Sequence, residues 1–271
     1  LTPTAPYRTD HSAMESLLAF WADAGIDVCL EDEPVNRLAE AARLIRPAPS
    51  PVASLVAARP SNPAQQRASN ESAALERAKS LAAEAQTLEA LTEALRDFEG
   101  CGLRRNLAHQ PVLWRGPAAS KIMIIAEAPL AEDETEARPG PEGQLLDRML
   151  QAAGLKDRCI LTHTVFWYPP GGRAPSLAEQ KICQPFLERA IGLIQPQYLL
   201  LLGAASARAM LGREDGILAL RGQWFDWTAS DQGQTLPALV TMTPSFLLQQ
   251  STAKKKAWAD LQSFNARALG G

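Results

Sequence analysis

Residues 121–129 read KIMIIAEAP. Ile122, Met123, Ile124, Ile125 and Ala126 form an unbroken apolar run, closed by Glu127 and Pro129. A run this short, bounded by a turn signal, reads as a strand buried on both faces. Three more stretches read the same way: CILTHTVFWYPP (159–170), which ends in prolines, QYLLLLG (197–203) and ALVTMTP (238–244). Helical patterns separate them. GQLLDRMLQAAGL (143–155) is amphipathic. SLAEQKICQPFLERAIGLI (176–194) opens on Ser176, with Glu179 three residues on in a capping-box spacing. Further helices are expected at 204–211 and 253–268. Strands alternating with helices predict an α/β fold: a three-layer αβα domain around a central, mainly parallel four-stranded sheet. Binding sites in such sheets lie beyond the C-terminal strand ends. Those ends fall at 126–129, 164–170, 203 and 243–245.

Outward from this core, residues 70–98 read as helical with an interruption near Gln86 and Thr87, and Gly100 as the stop. Residues 47–69 are rich in Pro, Ala and Ser and read as a linker. Residues 1–46 read as an N-terminal helical extension, with an amphipathic helix over 12–24 capped by Ser12. The expected domains are therefore 1–46, 47–69 and 70–271.

The 271 residues suffice for one sizeable core. Net charge is −3, divided as −6 over residues 1–99 and +3 over 100–271. A mildly basic second part permits contact with nucleic acid without requiring it. Cys29, Cys101, Cys159 and Cys183 form no C-x-x-C pair, and so few cysteines in a chain this long do not read as a disulfide framework. No apolar run reaches the roughly 18 residues of a spanning helix, and the opening residues are polar rather than signal-like. A cytoplasmic protein with no membrane contact is expected.

One stretch joins these patterns to chemistry. TMTPSFLL (241–248) sets Phe246, Leu247 and Leu248 after a Thr-Pro-Ser turn, close to Lys254, Lys255 and Lys256. It reads either as a helix start burying its apolar side chains or as an apolar wedge beside a phosphate-binding cluster.

Taken in order, EAP…ED, GQLLDRML…GL, PPGGRAP, CQPFLERAIGLIQPQ, LLG, LRG and TPSFLL…K…W.DL resemble family 4 uracil-DNA glycosylases, the iron–sulfur branch of the uracil-DNA glycosylase superfamily. The resemblance spans roughly residues 88–264. It implies the glycosylase fold, DNA as a partner, and an enzyme that takes a base out of the stack. It also assigns positions. Glu127 matches the residue expected to position water, within Ala126-Glu127-Ala128-Pro129-Leu130, where the family has glycine on both flanks. Ala128 and Pro129 line the expected pocket. The family's stacking Phe has no counterpart; Arg138 or Pro139 lies nearest. His163 stands where an Asn reads uracil. Arg173, in Pro169-Pro170-Gly171-Gly172-Arg173, is expected to hold a phosphate. Thr243 replaces the His that donates to the departing base. Ser245, Phe246, Leu247 and Lys254 are expected to touch DNA.

The cluster ligands of the family fall at Phe98, Cys101, Trp167 and Cys183. Two thiols and two aromatics cannot supply four cysteine ligands, so no iron–sulfur cluster, no metal and no other cofactor is expected. A two-cysteine site helped by His109 is the alternative. The leading reading is a glycosylase-like protein with a degenerate active site, DNA-binding or repair-associated, with weak or no glycosylase activity. Two alternatives stay open: an active glycosylase for uracil or another deaminated base, working without a cluster, and a scaffold that binds a DNA-metabolism protein through its N-terminal region.

Overall fold

In the computed structural model the chain divides into two compact units, Leu1–Arg59 and Pro60–Gly271. The structure describes residues 63–104, 110–134, 139–229, 233 and 235–270, together with Glu15 and Phe20, two exposed helical positions of the first unit. The rest of the expected 12–24 helix, Cys29, and the linker up to residue 62 lie outside the described residues, as do His109 and Arg138.

In the second unit, helix α1 (Pro63–Glu84) begins inside the stretch read as linker. Pro63 suits a first helical position, and Ala and Gln then favour continuation more than the composition of the whole stretch suggests. Thr87 breaks the helix as foreseen and caps α2 (Leu88–Asp97), its side chain accepting from Ala90 N–H at 3.2 Å. The α/β core follows: β1 (Ile122–Ala126), a short helix α3 (Ala131–Glu134), α4 (Pro141–Ala152), β2 (Cys159–His163), α5 (Leu177–Ile194), β3 (Tyr198–Leu202), α6 (Ala204–Leu211), α7 (Ile217–Leu220), β4 (Trp224–Thr228), β5 (Thr235–Thr241), α8 (Pro244–Gln249) and α9 (Lys254–Ala268).

The sheet has five strands in the order β2-β1-β3-β5-β4. The pairs β1–β2, β1–β3 and β3–β5 are parallel, as expected. The fifth strand was not foreseen: β4 pairs antiparallel with β5 at one edge. The run WFDWT buries only Trp227, so its hydropathy is that of an edge strand and not of a core strand.

Alternation along the central strands builds two cores. Met123 and Ile125 of β1 join Leu199 and Leu201 of β3 against Phe186 and Ile191 of α5. Ile122 and Ile124 face the other way, with Leu200, against Leu146 and Leu150 of α4 and Phe264 of α9. The α1–α2 connection is tied to α5 by Arg189, whose Nε donates to the Ala85 carbonyl at 2.7 Å. The Arg221 of the LRG stretch pairs with Asp260, which also accepts from Thr241 Oγ1 at 2.9 Å. That contact fixes β5, and with it the turn at 243, against α9. Ser176 and Glu179 form the foreseen capping box at the start of α5.

Candidate active site

The C-terminal ends of β1, β2, β3 and β5 surround a cleft of about 800 Å³. The fold brings Glu127, Ala128 and Pro129 to it from the turn after β1, His163 and Arg173 from the end of β2 and the loop beyond, and Thr243 and Ser245 from the turn after β5.

After β1 the chain turns sharply. Thr164 holds the turn, its N–H donating to the Ala126 carbonyl at 2.9 Å and its hydroxyl to the Glu127 carbonyl. The Glu127 side chain is half-buried. Burial pushes its carboxyl above the usual range, partly offset by Arg208. Where the resembling family has glycine, Leu130 forms a tight turn instead: its N–H donates to Asp133 Oδ2 at 2.8 Å, and its side chain lines the cleft.

His163 ends β2 in register with Ala126. It is 6% exposed, and its Nδ1 is enclosed without a hydrogen-bond partner. Burial, reinforced by Arg115, pushes its pKa down to about 3, so the ring is neutral at neutral pH. With Nδ1 enclosed, Nε2 is the ring nitrogen able to meet a ligand.

Thr243 caps α8. Its Oγ1 accepts from Phe246 N–H at 3.2 Å and lies 3.0 Å from Ser245 Oγ. Gly203 makes room for it: φ there is +93°, and a side chain would meet the Thr243 methyl. The oxygen of this hydroxyl thus serves the helix start as an acceptor, and its hydrogen is placed to be shared with Ser245.

Two expected DNA contacts look different once placed. Leu247 is 1% exposed and packs with Met242, so its side chain belongs to the core and not to a wedge; the exposed apolar tip is Leu248, 43% exposed and lining the cleft. Phe246 is partly buried against the same core. Arg173 lines the cleft, yet its guanidinium grips Glu179 with two hydrogen bonds of 2.9 and 2.6 Å. Burial pushes the Glu179 carboxyl up, but the bonds from Arg173 and Ser176 outweigh it and hold it low. Arg173 therefore braces α5, and its hold on a phosphate would compete with that pair. Lys254, Lys255 and Lys256 are exposed in the first turn of α9, where lysines oppose the helix dipole.

Several lining residues were missed in the sequence. Tyr168 stands immediately before the Pro-Pro turn and is an aromatic residue in the lining of the cleft. Its signal in the sequence is its place in that loop, next to Pro169 and Pro170. Arg115 comes from the irregular segment before β1, bridges to Leu161, and pairs with Asp147 at 2.9 Å. Glu142, in the first turn of α4, has its carboxyl raised by burial and then by Glu132 nearby.

The positions matching cluster ligands lie away from the cleft. Phe98, Cys101, Trp167 and Cys183 are all essentially inaccessible. Cys183 donates to Cys101 with the sulfurs 3.9 Å apart, and Phe98 packs edge-on against Phe186 at 5.1 Å between ring centres. Hydrogen bonding from Cys183 lowers the Cys101 thiol, while the same contact and burial raise Cys183. Two sulfurs in contact, with Phe98 and Trp167 buried at the other two matching positions, do not fit a four-thiolate iron–sulfur cluster. Cys159 packs in the other core. Among the described residues no group of three or more His, Cys, Asp or Glu is arranged to hold a metal. No helix among them is long and apolar enough to cross a membrane.

A largely parallel sheet covered by helices, with its cleft at the C-terminal strand ends, defines an open-sheet α/β domain. The family profile described as the uracil DNA glycosylase superfamily matches residues 113–262, more than half of the chain, and the chain belongs to that superfamily. It is 27% identical over 184 residues to a type-4 uracil-DNA glycosylase of Pyrobaculum aerophilum, covering 65% of this chain and 92% of the relative. It is also 27% identical over 168 residues to one of Thermotoga maritima, covering 60% and 84%. A third, from Sulfurisphaera tokodaii, is 30% identical over 162 residues, covering 57% and 73%.

Proposed function

We propose that this chain is a DNA-binding, repair-associated member of the superfamily whose cleft releases uracil weakly or not at all. The observation that carries this reading is the state of the donors. Uracil leaves as an anion, and a glycosylase has to place donors where that charge develops. Thr243 offers one neutral hydroxyl, shorter than an imidazole, whose oxygen accepts in the α8 cap and which lies in hydrogen-bond contact with Ser245. His163 offers a neutral ring. Arg115 and Arg173 are each bound to a carboxylate outside the cleft's reacting space, Asp147 and Glu179. Contact with DNA is supported by the superfamily, by the exposed apolar tip at Leu248, and by three exposed lysines at the start of α9. The burial of Phe98 and Trp167 in the same apolar core as the thiol pair supports a domain that folds without a cluster. Single- and double-stranded oligonucleotides carrying uracil, hypoxanthine or xanthine, scored for binding and for abasic sites together, test the reading. Binding without release is expected. Neither binding nor release would move attention to a protein partner for the N-terminal region.

A further inference from the structure

The same cleft has a feature that disfavours an anionic leaving group and favours a cationic one. Four carboxylates line it: Glu127, Glu132, Asp133 and Glu142. The carboxylate oxygens of Glu127 and Glu142 make no hydrogen bond among the described residues, and both groups are held partly out of water. Among the described residues the cations nearby each hold a carboxylate of their own: Arg115 pairs with Asp147, Arg173 with Glu179, and Arg208, which also eases Glu127, with Glu214 at 2.8 Å. Tyr168 brings an electron-rich ring to the same cavity, opposite in its electrostatic preference to an anion. The buried wall carries His163 with one ring nitrogen unsatisfied. The volume, about 800 Å³, admits a purine.

Resting on the reading of this cleft as one that receives a base from DNA, we infer that its substrate class is an N-alkylated purine, a base carrying a fixed positive ring charge. Such a base needs none of the donors that are missing. When the bond between the sugar C1′ and the purine N9 breaks, its electron pair returns to the ring and cancels the positive charge, so the base departs neutral. The positive charge passes to the sugar, where the Glu127 carboxylate stabilises it. Water then forms the new bond to C1′, and its proton goes to Glu127 and on to solvent. Tyr168 holds the cationic base by its ring face, and Nε2 of His163 offers a single neutral contact to the base edge. The loss of the anion-stabilising donor and the gain of a carboxylate-lined, aromatic-walled cleft thus become one change of chemistry.

The test uses the full chain with duplex oligonucleotides holding one 7-methylguanine, one uracil, or neither, with free base quantified by chromatography. Release of 7-methylguanine at least tenfold above its spontaneous loss in buffer is expected, with uracil release at background. Tyr168→Phe should retain release, whereas Tyr168→Ala should lower it by about tenfold, the scale of one desolvated cation–π contact. Glu127→Gln should abolish it while thermal melting shows the variant folded. Binding of the methylated duplex with release no faster than in buffer would overturn this inference and leave the DNA-binding reading intact. Loss of all DNA binding would overturn both. Uracil released as fast as 7-methylguanine would overturn the inference and the weak-uracil reading together.

Discussion

Two regions of this domain differ from the pattern of the family it resembles, and they differ in opposite ways. At the positions matching cluster ligands, large rings stand in place of two thiols, and Phe98, Trp167, Cys101 and Cys183 close into a core with no accessible surface. At the cleft, about 800 Å³ stays open, with Thr243 and His163 in its lining. Filling one region conserves stability, because a void there would forfeit dispersion contacts on every side. Keeping the other open conserves no stability at all. A cleft lined by half-buried carboxylates carries a standing desolvation cost, and that cost points to retained use of the space rather than to drift.

The comparison breaks most readily at Trp167. Trp167→Ala should destabilise the domain by about 3–5 kcal/mol in chemical denaturation, and a loss below about 1 kcal/mol would mean that this corner is not a packed core. The adjacent leucines sharpen the distinction between core and rim. Leu247→Ala should cost about 2–5 kcal/mol, whereas Leu248→Ala should stay within about 0.5 kcal/mol and instead weaken binding to duplex DNA. Equal stability losses for the two would remove the assignment of Leu248 as the exposed tip.

A third expectation concerns pH. The folded state holds His163 neutral down to about 3, while the unfolded chain takes up a proton near 6.5. Stability contributed by the neutral ring is present above 6.5 and falls as pH drops from there toward 3. His163→Gln should flatten that part of the melting profile; an unchanged slope between pH 6.5 and 4 would contradict the burial of this ring. The smallest effect belongs to Glu127. Its carboxyl is raised, so the charged form is disfavoured by folding, and stability declines as pH rises from its ordinary value through the raised one. Glu127→Gln should therefore be neutral or slightly stabilising at pH 7 and lose that dependence. A marked destabilisation would make Glu127 a structural residue rather than a cleft residue.

Much of the fold was legible because its signals are local. Unbroken apolar runs gave β1, β3 and β5, and Ser176 with Glu179 announced α5. Edge strand β4 was not legible: its half-exposed WFDWT run acquires a strand identity only by pairing with β5. The start of α1 at Pro63 was hidden by the composition of its neighbours. In the site, Glu127, His163 and Thr243 were placed together by the resemblance to the glycosylase family, and all three line the cleft. What failed depended on side-chain direction and partners. Leu247 and Leu248 are adjacent in a six-residue helix, and sequence gives no reason to bury one and expose the other. The commitment of Arg173 to Glu179 and the arrival of Tyr168 in the cleft are tertiary facts, set by how the loop after β2 folds over α5.

The most direct test of the central claim is single-turnover uracil release from a uracil-containing duplex, measured with protein in excess beside a binding titration of the same DNA. The expected result is saturable binding with no uracil released above a protein-free control. Uracil released at an enzyme-like rate, and lost in Glu127→Ala, would contradict it: the capped Thr243 and the neutral His163 would then stabilise the leaving anion after all.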